Sequence, residues 1–281
     1  MLMKIDRIDF DFYEKNSGNF FGFNIFVSKN YLETFAGLKN IKIYSISSEN
    51  GIEAFFPVNE KKTPLGKFFL TPQFTQFFNI ILKSNPKNEK EKFFRYRDVI
   101  STYSNFLRKN FVYLSLPLHH DFDDVRFFKW NRLKAIPFYT YLVDSFKEKE
   151  NSEGEDFKIV NDSKKLFESY KESYKGKLPI GEKDFIFIVD SLKEKGILKI
   201  FSNSKANVAV LYDDFNKVSY LYIITGKDTY FLIEQIFKEG HFKGYAVDLM
   251  GANTERIAKY KSKFKGELKL YFKLEKKYAI F

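Results

Sequence analysis

The chain has 281 residues, a hydrophobic content of 44% and a formal net charge of +11, from 47 lysines and arginines against 36 acidic residues. This hydrophobic content is typical of a folded protein and excludes a wholly disordered one, and the length accommodates two domains of common size or one large domain. No cysteine is present, which excludes a disulfide framework, a thiolate metal site and a cysteine nucleophile.

The expected compartment is the cytoplasm. No apolar run reaches the roughly 18–20 residues that span a bilayer, and Met1–Phe10 alternates charged and apolar residues where a secretory signal has an apolar stretch. The positive charge favours anionic partners, such as phosphates, coenzyme A, tRNA or an anionic membrane face. An AT-rich genome, which enriches Lys, Ile, Asn and Phe, explains the same charge without any such partner.

Strands and a long helix are predicted in the first half of the chain. Ile41–Ser48 alternates polar and apolar residues, and a turn at Glu49-Asn50-Gly51 leads to a partner strand over Ile52–Val58. Apolar residues at helical spacing predict a helix over Asn88–Asn110. Three short elements follow: a strand over Phe111–Leu116, a helix over Arg126–Trp130 and a strand over Pro137–Asp144.

Lys147–Asp156, which is charged and lacks apolar residues, is the predicted linker between domains at 1–146 and 147–281. Helices are predicted beyond it at Asp162–Tyr174, Lys183–Lys195, Asp228–Glu239 (with Asp228 as N-cap and Gly240 as stop) and Thr254–Phe264. Strands are predicted at Ile197–Ser202, Asn207–Tyr212, Val218–Thr225, Tyr245–Met250 and Glu267–Glu275, the last of which closes this second sheet.

The strands and the last two helices follow the order β-β-β-α-β-α-β, and the first half shows a rougher version of the same order. An Arg-x-x-Lys-aromatic run also recurs at the same place relative to a strand, at Arg126–Trp130 and at Arg256–Tyr260. These features predict a mixed α/β fold made of two similar halves.

Three pieces of sequence carry a resemblance to a known family. They are Thr71–Phe77; Leu116–Asp121 with Arg126–Trp130 and Tyr139–Asp144; and Val247–Asn253 with Tyr260–Phe264. The second is similar to a family run written R-x-F-x-W … Y-T-Y-x-x-D, and the third to a close written D-F-x-G-A … F-K-x-x-F-G. The chain thus resembles the tandem-GNAT acyltransferases, in particular the FemAB-like peptidyltransferases, over roughly residues 40–275.

The resemblance implies two tandem GNAT-like domains and an N-acyltransferase that moves an acyl or aminoacyl group to an amine acceptor by direct attack, in a cleft between the two halves. The implied donor is anionic, either a small molecule or carrier-bound, with acyl-CoA and aminoacyl-tRNA as the two candidates. Lys261 matches the lysine of the family's closing motif, so the resemblance implies that it binds a phosphate or carboxylate of the substrate. Alternatively, Lys261 lies on a basic face that is exposed to solvent.

The chain departs from the family pattern in two places. Family members carry a basic helix soon after the Y-T-Y-x-x-D strand, where this chain has the acidic stretch Lys147–Asp156. The missing helix favours the alternative, a catalytically degenerate tandem-GNAT protein that binds an anionic ligand or partner. The Arg/Gln-x-x-Gly-x-Gly/Ala pyrophosphate loop of acetyl-CoA enzymes is also missing, which makes acetyl-CoA a less expected cofactor than in an ordinary GNAT enzyme.

Asp248 and His120 are the predicted catalytic residues. Asp248 interrupts an apolar strand just before a glycine-containing loop, where it could act as a base or orient the acceptor; alternatively it bonds the loop backbone or caps the next helix. His120 could act as a base near neutral pH. It is also explained by ordinary loop polarity.

The predicted substrate-binding residues come from three segments. The tight loop after Asp248 contributes Gly251 and Asn253, beside Lys261. Arg126, Lys129 and Trp130 could pair with an anion and stack on a ring, or else Arg126 forms an ion pair with Asp123 or Asp144 and Trp130 lies in the core. Tyr139 and Tyr141 share one face of a strand, which lines either the groove or a packed sheet.

No metal site is predicted. His119, His120 and the three nearby aspartates are metal-ligand types, but adjacent side chains tend to point in different directions, which makes His-His a poor ligand pair. A nucleic-acid-binding protein is the third alternative, and it requires basic residues clustered on one face with exposed aromatic residues between them.

Overall fold

A computed structural model describes residues 3–38, 40–83, 88–144, 156–174 and 178–276. The chain divides into two compact units: Met1–Phe138 with Leu270–Phe281 form unit 1, and Tyr139–Lys269 form unit 2. The predicted linker, except for Asp156, lies outside the described residues.

The described elements are, in chain order, β1 (Lys4–Ile8), α1 (Phe10–Ser17), β2 (Phe20–Phe21), a 3₁₀ turn (Ile25–Val27), α2 (Lys29–Ala36), β3 (Ile41–Ser48), β4 (Gly51–Thr63), β5 (Gly66–Leu70), β6 (Ile81–Lys83), α3 (Glu89–Asn110), β7 (Tyr113–Pro117), α4 (Arg126–Trp130) and β8 (Lys134–Val143). They continue with β9 (Lys158–Val160), α5 (Ser163–Ser173), α6 (Glu182–Glu194), β10 (Leu198–Ser202), β11 (Ala206–Asp213), β12 (Val218–Gly226), α7 (Thr229–Lys238), β13 (Ala246–Asp248), α8 (Glu255–Lys261), a 3₁₀ turn (Ser262–Phe264) and β14 (Glu267–Lys276). The predicted mixed α/β class is confirmed.

Unit 1 is built on a sheet in the order β1-β3-β4-β5-β7-β14. Its pairs are antiparallel, except that β5 and β7 run parallel. An aromatic core covers the sheet, with rings in edge-to-face contact such as Phe56 and Tyr103, whose centroids are 4.8 Å apart. Such pairs contribute stability beyond the apolar area that they bury.

Unit 2 has the sheet order β8-β13-β12-β11-β10-β9. The parallel pair β12 and β13 is in register only from Val218 to Tyr220, opposite Ala246 to Asp248. Beyond that point β12 continues to Gly226, whereas β13 ends at Asp248. The two strands therefore stop pairing at Asp248, and the loop that follows is free to turn towards β8.

Several predicted helix boundaries are confirmed by their caps. The Asn88 side chain accepts from the Glu91 amide at 2.9 Å, and Thr254 accepts from the Ile257 amide at 3.4 Å. Asp228 is a correction: it precedes α7 in the left-handed conformation, with φ +56°, and its side chain makes no capping hydrogen bond. With that backbone its carboxylate does not reach the first amides of the helix.

The last strand, β14, was predicted to close the second sheet, and it is the hydrogen-bonded neighbour of β8 in the strand order. What was not predicted is that its residues Lys273–Lys276 also pair with β7 in unit 1. The strand that pairs with β13 in unit 2 is β8, through Leu142 and Val143. The alternation of residues identifies both strands, but it carries no information on which sheet each one joins.

The units also divide the chain at other positions than 146 and 147. The break falls inside β8, between Phe138 and Tyr139, and unit 1 takes the end of the chain. That each half is a separate GNAT-like domain stays a prediction. No helix in the described part of the chain combines the length and apolar character that crossing a bilayer requires.

Gly226 ends β12 at φ +92°, and a Cβ there would lie 2.3 Å from the backbone oxygen of Lys205. We predict that Gly226→Ala lowers the free energy of unfolding by at least about 2 kcal/mol, because the backbone itself must shift. Gly196→Ala is the control: its φ is +72° but nothing lies within 4 Å, so it should cost about 1 kcal/mol. Chemical denaturation measures both, and equal losses would contradict the prediction.

Candidate functional site

The loop that follows β13 is held against β8 by hydrogen bonds. It runs from Leu249 to Asn253 and is hydrogen-bonded along the end of β8: the Leu249 amide donates to the Tyr141 oxygen at 2.9 Å, and the Ala252 amide donates to the Tyr139 oxygen at 2.6 Å. The Asn253 side-chain oxygen accepts from the Tyr139 amide at 2.7 Å. We call Leu249–Asn253 the acceptor loop, because three of its backbone carbonyls accept hydrogen bonds from one lysine.

Lys261, at the end of α8, supplies that lysine. Its Nζ donates to the backbone oxygens of Leu249, Met250 and Gly251, the last at 2.8 Å. The side chain is only 8% exposed. An ammonium has three N–H donors, so one buried charge satisfies three neighbouring carbonyls.

Burial sets the protonation of this lysine. It lowers the pKa of Lys261 to about 8, and the opposite charge of Asp248 offsets part of that shift. Near neutral pH the group is therefore still mostly an ammonium, whereas it loses its proton in mildly alkaline solution.

The geometry of the peptide units determines where the amides of this loop point. In a trans peptide unit the C=O and the N–H point in opposite directions, so carbonyls that face Lys261 turn the next amides away from it. The Met250 amide then reaches the Asp248 carboxylate at 2.6 Å, and the Ala252 amide reaches β8. The Gly251 amide, between them, has no hydrogen-bond partner among the described residues.

Asp248 is fully buried at the end of β13. One of its oxygens accepts the Thr140 hydroxyl at 2.5 Å and the Met250 amide at 2.6 Å. This is the backbone-bonding alternative of the sequence analysis. The carboxylate holds the start of the acceptor loop.

The structure brings together the predicted residues that lie in unit 2. Tyr139 and Asn253 share a hydrogen bond, Tyr141 packs partly buried against the core, and Asp248, Gly251 and Lys261 belong to one network. Their roles in binding or catalysis stay predictions.

Two residues of this network were missed in the sequence. Thr140 is fully buried and contacts Asp248, and the only available signal was a hydroxyl between two tyrosines in a strand. Met250 has φ +59°, a left-handed conformation that is unfavourable for a side chain with a Cβ. A left-handed residue is usually predicted from a glycine, and because this position is a methionine, the sequence does not indicate the strain.

The other predicted residues lie in unit 1. Arg126 makes a two-pronged ion pair with Asp124, at 2.9 and 2.7 Å, which realises the ion-pair alternative with a different aspartate from those predicted. Trp130 is 58% exposed, so its core alternative is wrong. The Arg126 guanidinium lies over its ring, 5.9 Å from the centroid.

Lys129 and Arg126 line a cleft of ≈ 810 Å³ in unit 1, together with aromatic side chains such as Phe93 and Tyr96. A cleft of ≈ 610 Å³ in unit 2 lies at the beginning of β13, and its lining includes Lys217 and Lys243. The acceptor loop follows the other end of that strand, and none of its residues is among those that line the unit 2 cleft.

His120 lies in a tight turn of unit 1, next to His119 and Asp121. Nδ1 of His119 lies 3.0 Å from one Asp121 oxygen, and Nδ1 of His120 lies 3.2 Å from the other. Burial disfavours ionisation of Asp121, but hydrogen bonds from both imidazoles outweigh it and hold the pKa of this carboxyl well below its usual range.

Comparison with known proteins supports the fold. No protein-family model and no curated protein sequence matches the chain. Among solved structures, FemX aligns over 96% of both chains with 10% identity and a TM-score of 0.63. A GNAT-family acetyltransferase from Colwellia psychrerythraea aligns over 97% of this chain and 98% of its own, with 11% identity and a TM-score of 0.58.

A tandem GNAT protein from the clavulanic acid biosynthesis pathway aligns over 98% of both chains, with 6% identity and a TM-score of 0.55. The chain therefore has the fold of the GNAT-type acyltransferases, as the resemblance implied. At these sequence identities the similarity shows the fold alone and does not identify a substrate.

The buried ammonium gives a test of this network. Unfolded lysine, with its ordinary pKa of 10.5, binds more protons than native Lys261 with its pKa of about 8. The free energy of unfolding of the wild type, relative to Lys261→Met, should therefore rise between pH 8 and 10, by on the order of 2 kcal/mol. Denaturation of both proteins across this range measures it. A difference that does not change with pH would show that burial does not lower the pKa of Lys261.

Proposed function

We propose that this protein is an N-acyltransferase of the GNAT/FemAB-like type, in which an amine attacks an acyl or aminoacyl donor directly and the acceptor loop binds the oxygen on which negative charge develops. The cleft between the halves that the resemblance implies stays a prediction. The proposal is supported by the fold and by one observation: the Gly251 amide, which lies between two hydrogen-bonded amides, has no partner in the part of the chain that the structure describes.

Acyl transfer makes three chemical demands. The amine nitrogen forms a bond to the acyl carbon, the carbonyl oxygen carries negative charge in the tetrahedral intermediate, and the bond to the departing sulfur or oxygen then breaks. The proton lost by the amine ends on the departing thiol or hydroxyl. Fixed N–H donors at the oxygen contribute the most when they need no reorganisation during the reaction.

The acceptor loop supplies such a fixed N–H donor. Lys261 holds the peptide units on either side of Gly251, and Asp248 holds the unit before them, so the Gly251 N–H keeps one direction before any ligand arrives. In this proposal Gly251 touches the donor, whereas Lys261, Asp248 and Thr140 are positioning residues. A nucleophilic side chain is not required, which is consistent with a chain that lacks cysteine.

Acyl-CoA and aminoacyl-tRNA remain the two donor classes, and either one suits a chain with a net charge of +11. The structure neighbours include an acetyltransferase and FemX, so they do not decide between the classes.

One observation favours the degenerate alternative. An anion is favoured at a helix N-terminus, but α7 begins after the carboxylate of Asp228, and the Thr229 hydroxyl lies 2.8 Å from that of Tyr260. Tyr230 also packs on Phe264, with ring centroids 4.9 Å apart. The start of α7 is thus bonded to Tyr260 on α8 and packed on Phe264 just beyond it, and it lacks the free helix N-terminus that usually binds a pyrophosphate. This arrangement fits a protein that binds a ligand without catalysing its turnover.

The test is a transfer assay with acetyl-CoA, a long-chain acyl-CoA and charged tRNA, each offered with a panel of primary amines, on the wild type, Lys261→Met and Lys259→Met. Lys259 lies on the same helix but is exposed, so it is the matched control. We expect kcat to fall about 100-fold or more in Lys261→Met, because the Gly251 donor loses its fixed direction. Lys259→Met should match the wild type.

The pH profile separates positioning from mere stability. Wild-type and Lys259→Met activity should decline above about pH 8, as the Lys261 ammonium loses its proton, and the residual activity of Lys261→Met should lack that decline. Saturable donor binding without product would support the degenerate protein. Full activity in Lys261→Met would refute the assigned role of the loop.

A further inference from the structure

The turn that follows β7 in unit 1 brings together three side chains whose chemistry the proposed acyl transfer does not use. His119 opens the turn, and its backbone oxygen accepts from the Phe122 amide at 3.0 Å. Because the chain reverses here, the side chains of consecutive residues converge, contrary to the prediction that adjacent histidines point apart. The imidazole centroids lie 4.0 Å apart, with the ring planes tilted by 37°.

The ligand atoms are spaced as a metal ion requires. One donor atom from each of His119, His120 and Asp121 lies within 4.8 Å of the other two, and the two imidazole nitrogens lie 3.0 and 3.2 Å from the carboxylate oxygens. Tetrahedral zinc, with bonds of about 2.0–2.1 Å, sets its ligand atoms about 3.3 Å apart. The two nitrogen–oxygen distances, each to a different oxygen of Asp121, are close to that spacing.

The surroundings hold these groups in place and leave a way in. The His119 and His120 side chains are 4% and 15% exposed, and Phe77 packs against both rings. The Nε2 of His120 is buried without a hydrogen-bond partner among the described residues, so the polar contact of that ring is at Nδ1. Asp121 remains 45% exposed, which gives an ion access from solvent.

The local charge also favours a cation. Asp123 and Asp124 follow Asp121 directly, and the nearby guanidinium of Arg126 is held by Asp124. In a chain with a net charge of +11, this turn concentrates carboxylates beside two imidazoles. Imidazole and carboxylate together suit divalent transition metals such as zinc.

We propose that His119, His120 and Asp121 form a binding site for one divalent transition-metal ion. His119 and His120 bind it through Nδ1, and Asp121 through a carboxylate oxygen. Three protein ligands leave a fourth position for water or another small ligand. Without the ion, both Nδ1 atoms lie against the Asp121 carboxylate, and that of His119 also faces the Asp121 backbone amide at 3.4 Å. This site does not depend on the proposed acyl transfer.

The experiment is a calorimetric titration of the full chain with ZnCl₂, repeated for His120→Gln, Asp121→Asn and His241→Gln. His241, the third histidine, lies in unit 2 and is the matched control. We expect one Zn²⁺ per chain in the wild type and in His241→Gln. Removing a residue that hydrogen-bonds to a metal ligand typically weakens metal affinity about 10–100-fold. Removing a ligand itself should therefore weaken the affinity about 100-fold or more.

Two further readouts keep the test decisive. Bound Zn²⁺ should raise the melting temperature of the wild type and of His241→Gln, but not of the two ligand variants. Co²⁺ should give the visible absorption of a low-symmetry site in the same two proteins, and circular dichroism checks that every variant is folded. A wild type that binds no Zn²⁺ at micromolar concentration would overturn the proposal, as would binding that both ligand variants retain.

Discussion

Three backbone carbonyls in unit 2 converge on one buried ammonium, and the rest of the candidate site depends on that convergence. Burying a charge is costly unless its hydrogen bonds are satisfied, and Lys261 meets this condition with the oxygens of Leu249, Met250 and Gly251. Because planar peptide units link each carbonyl to the next amide, the same contact orients the amides. One side chain thus sets the direction of a whole loop.

The sheet makes room for this arrangement. β12 and β13 pair in parallel only as far as Asp248, where the acceptor loop leaves the sheet and bonds to the end of β8. Asp248 then ties the loop to Thr140, on β8, while the left-handed Met250 makes the sharp change of direction. Strain of this kind persists only where the surroundings over-determine it, and here the buried ammonium and carboxylate lie on either side of it.

Much of the fold was predictable because its signals are local. The strand Ile41–Ser48, the helix capped by Asn88 and the short helix Arg126–Trp130 appear where alternation, spacing and caps predict them. The pairing of β14 in unit 1 and of β8 in unit 2 was not predictable, since it joins residues far apart in the chain. In the site, polar residues in apolar strands indicated Asp248. The contact of Lys261 with carbonyls and the convergence of His119 and His120 depend on backbone conformation, which composition does not encode.

Amide hydrogen exchange across the acceptor loop tests the central claim most directly, since it reports each N–H without any ligand. The account predicts that Met250 and Ala252, which are hydrogen-bonded, exchange at least about tenfold more slowly than Gly251 in the wild type. It also predicts that Lys261→Met removes the protection of both neighbours. A Gly251 amide as protected as those on either side of it, or a loop unchanged by the loss of Lys261, would contradict the account.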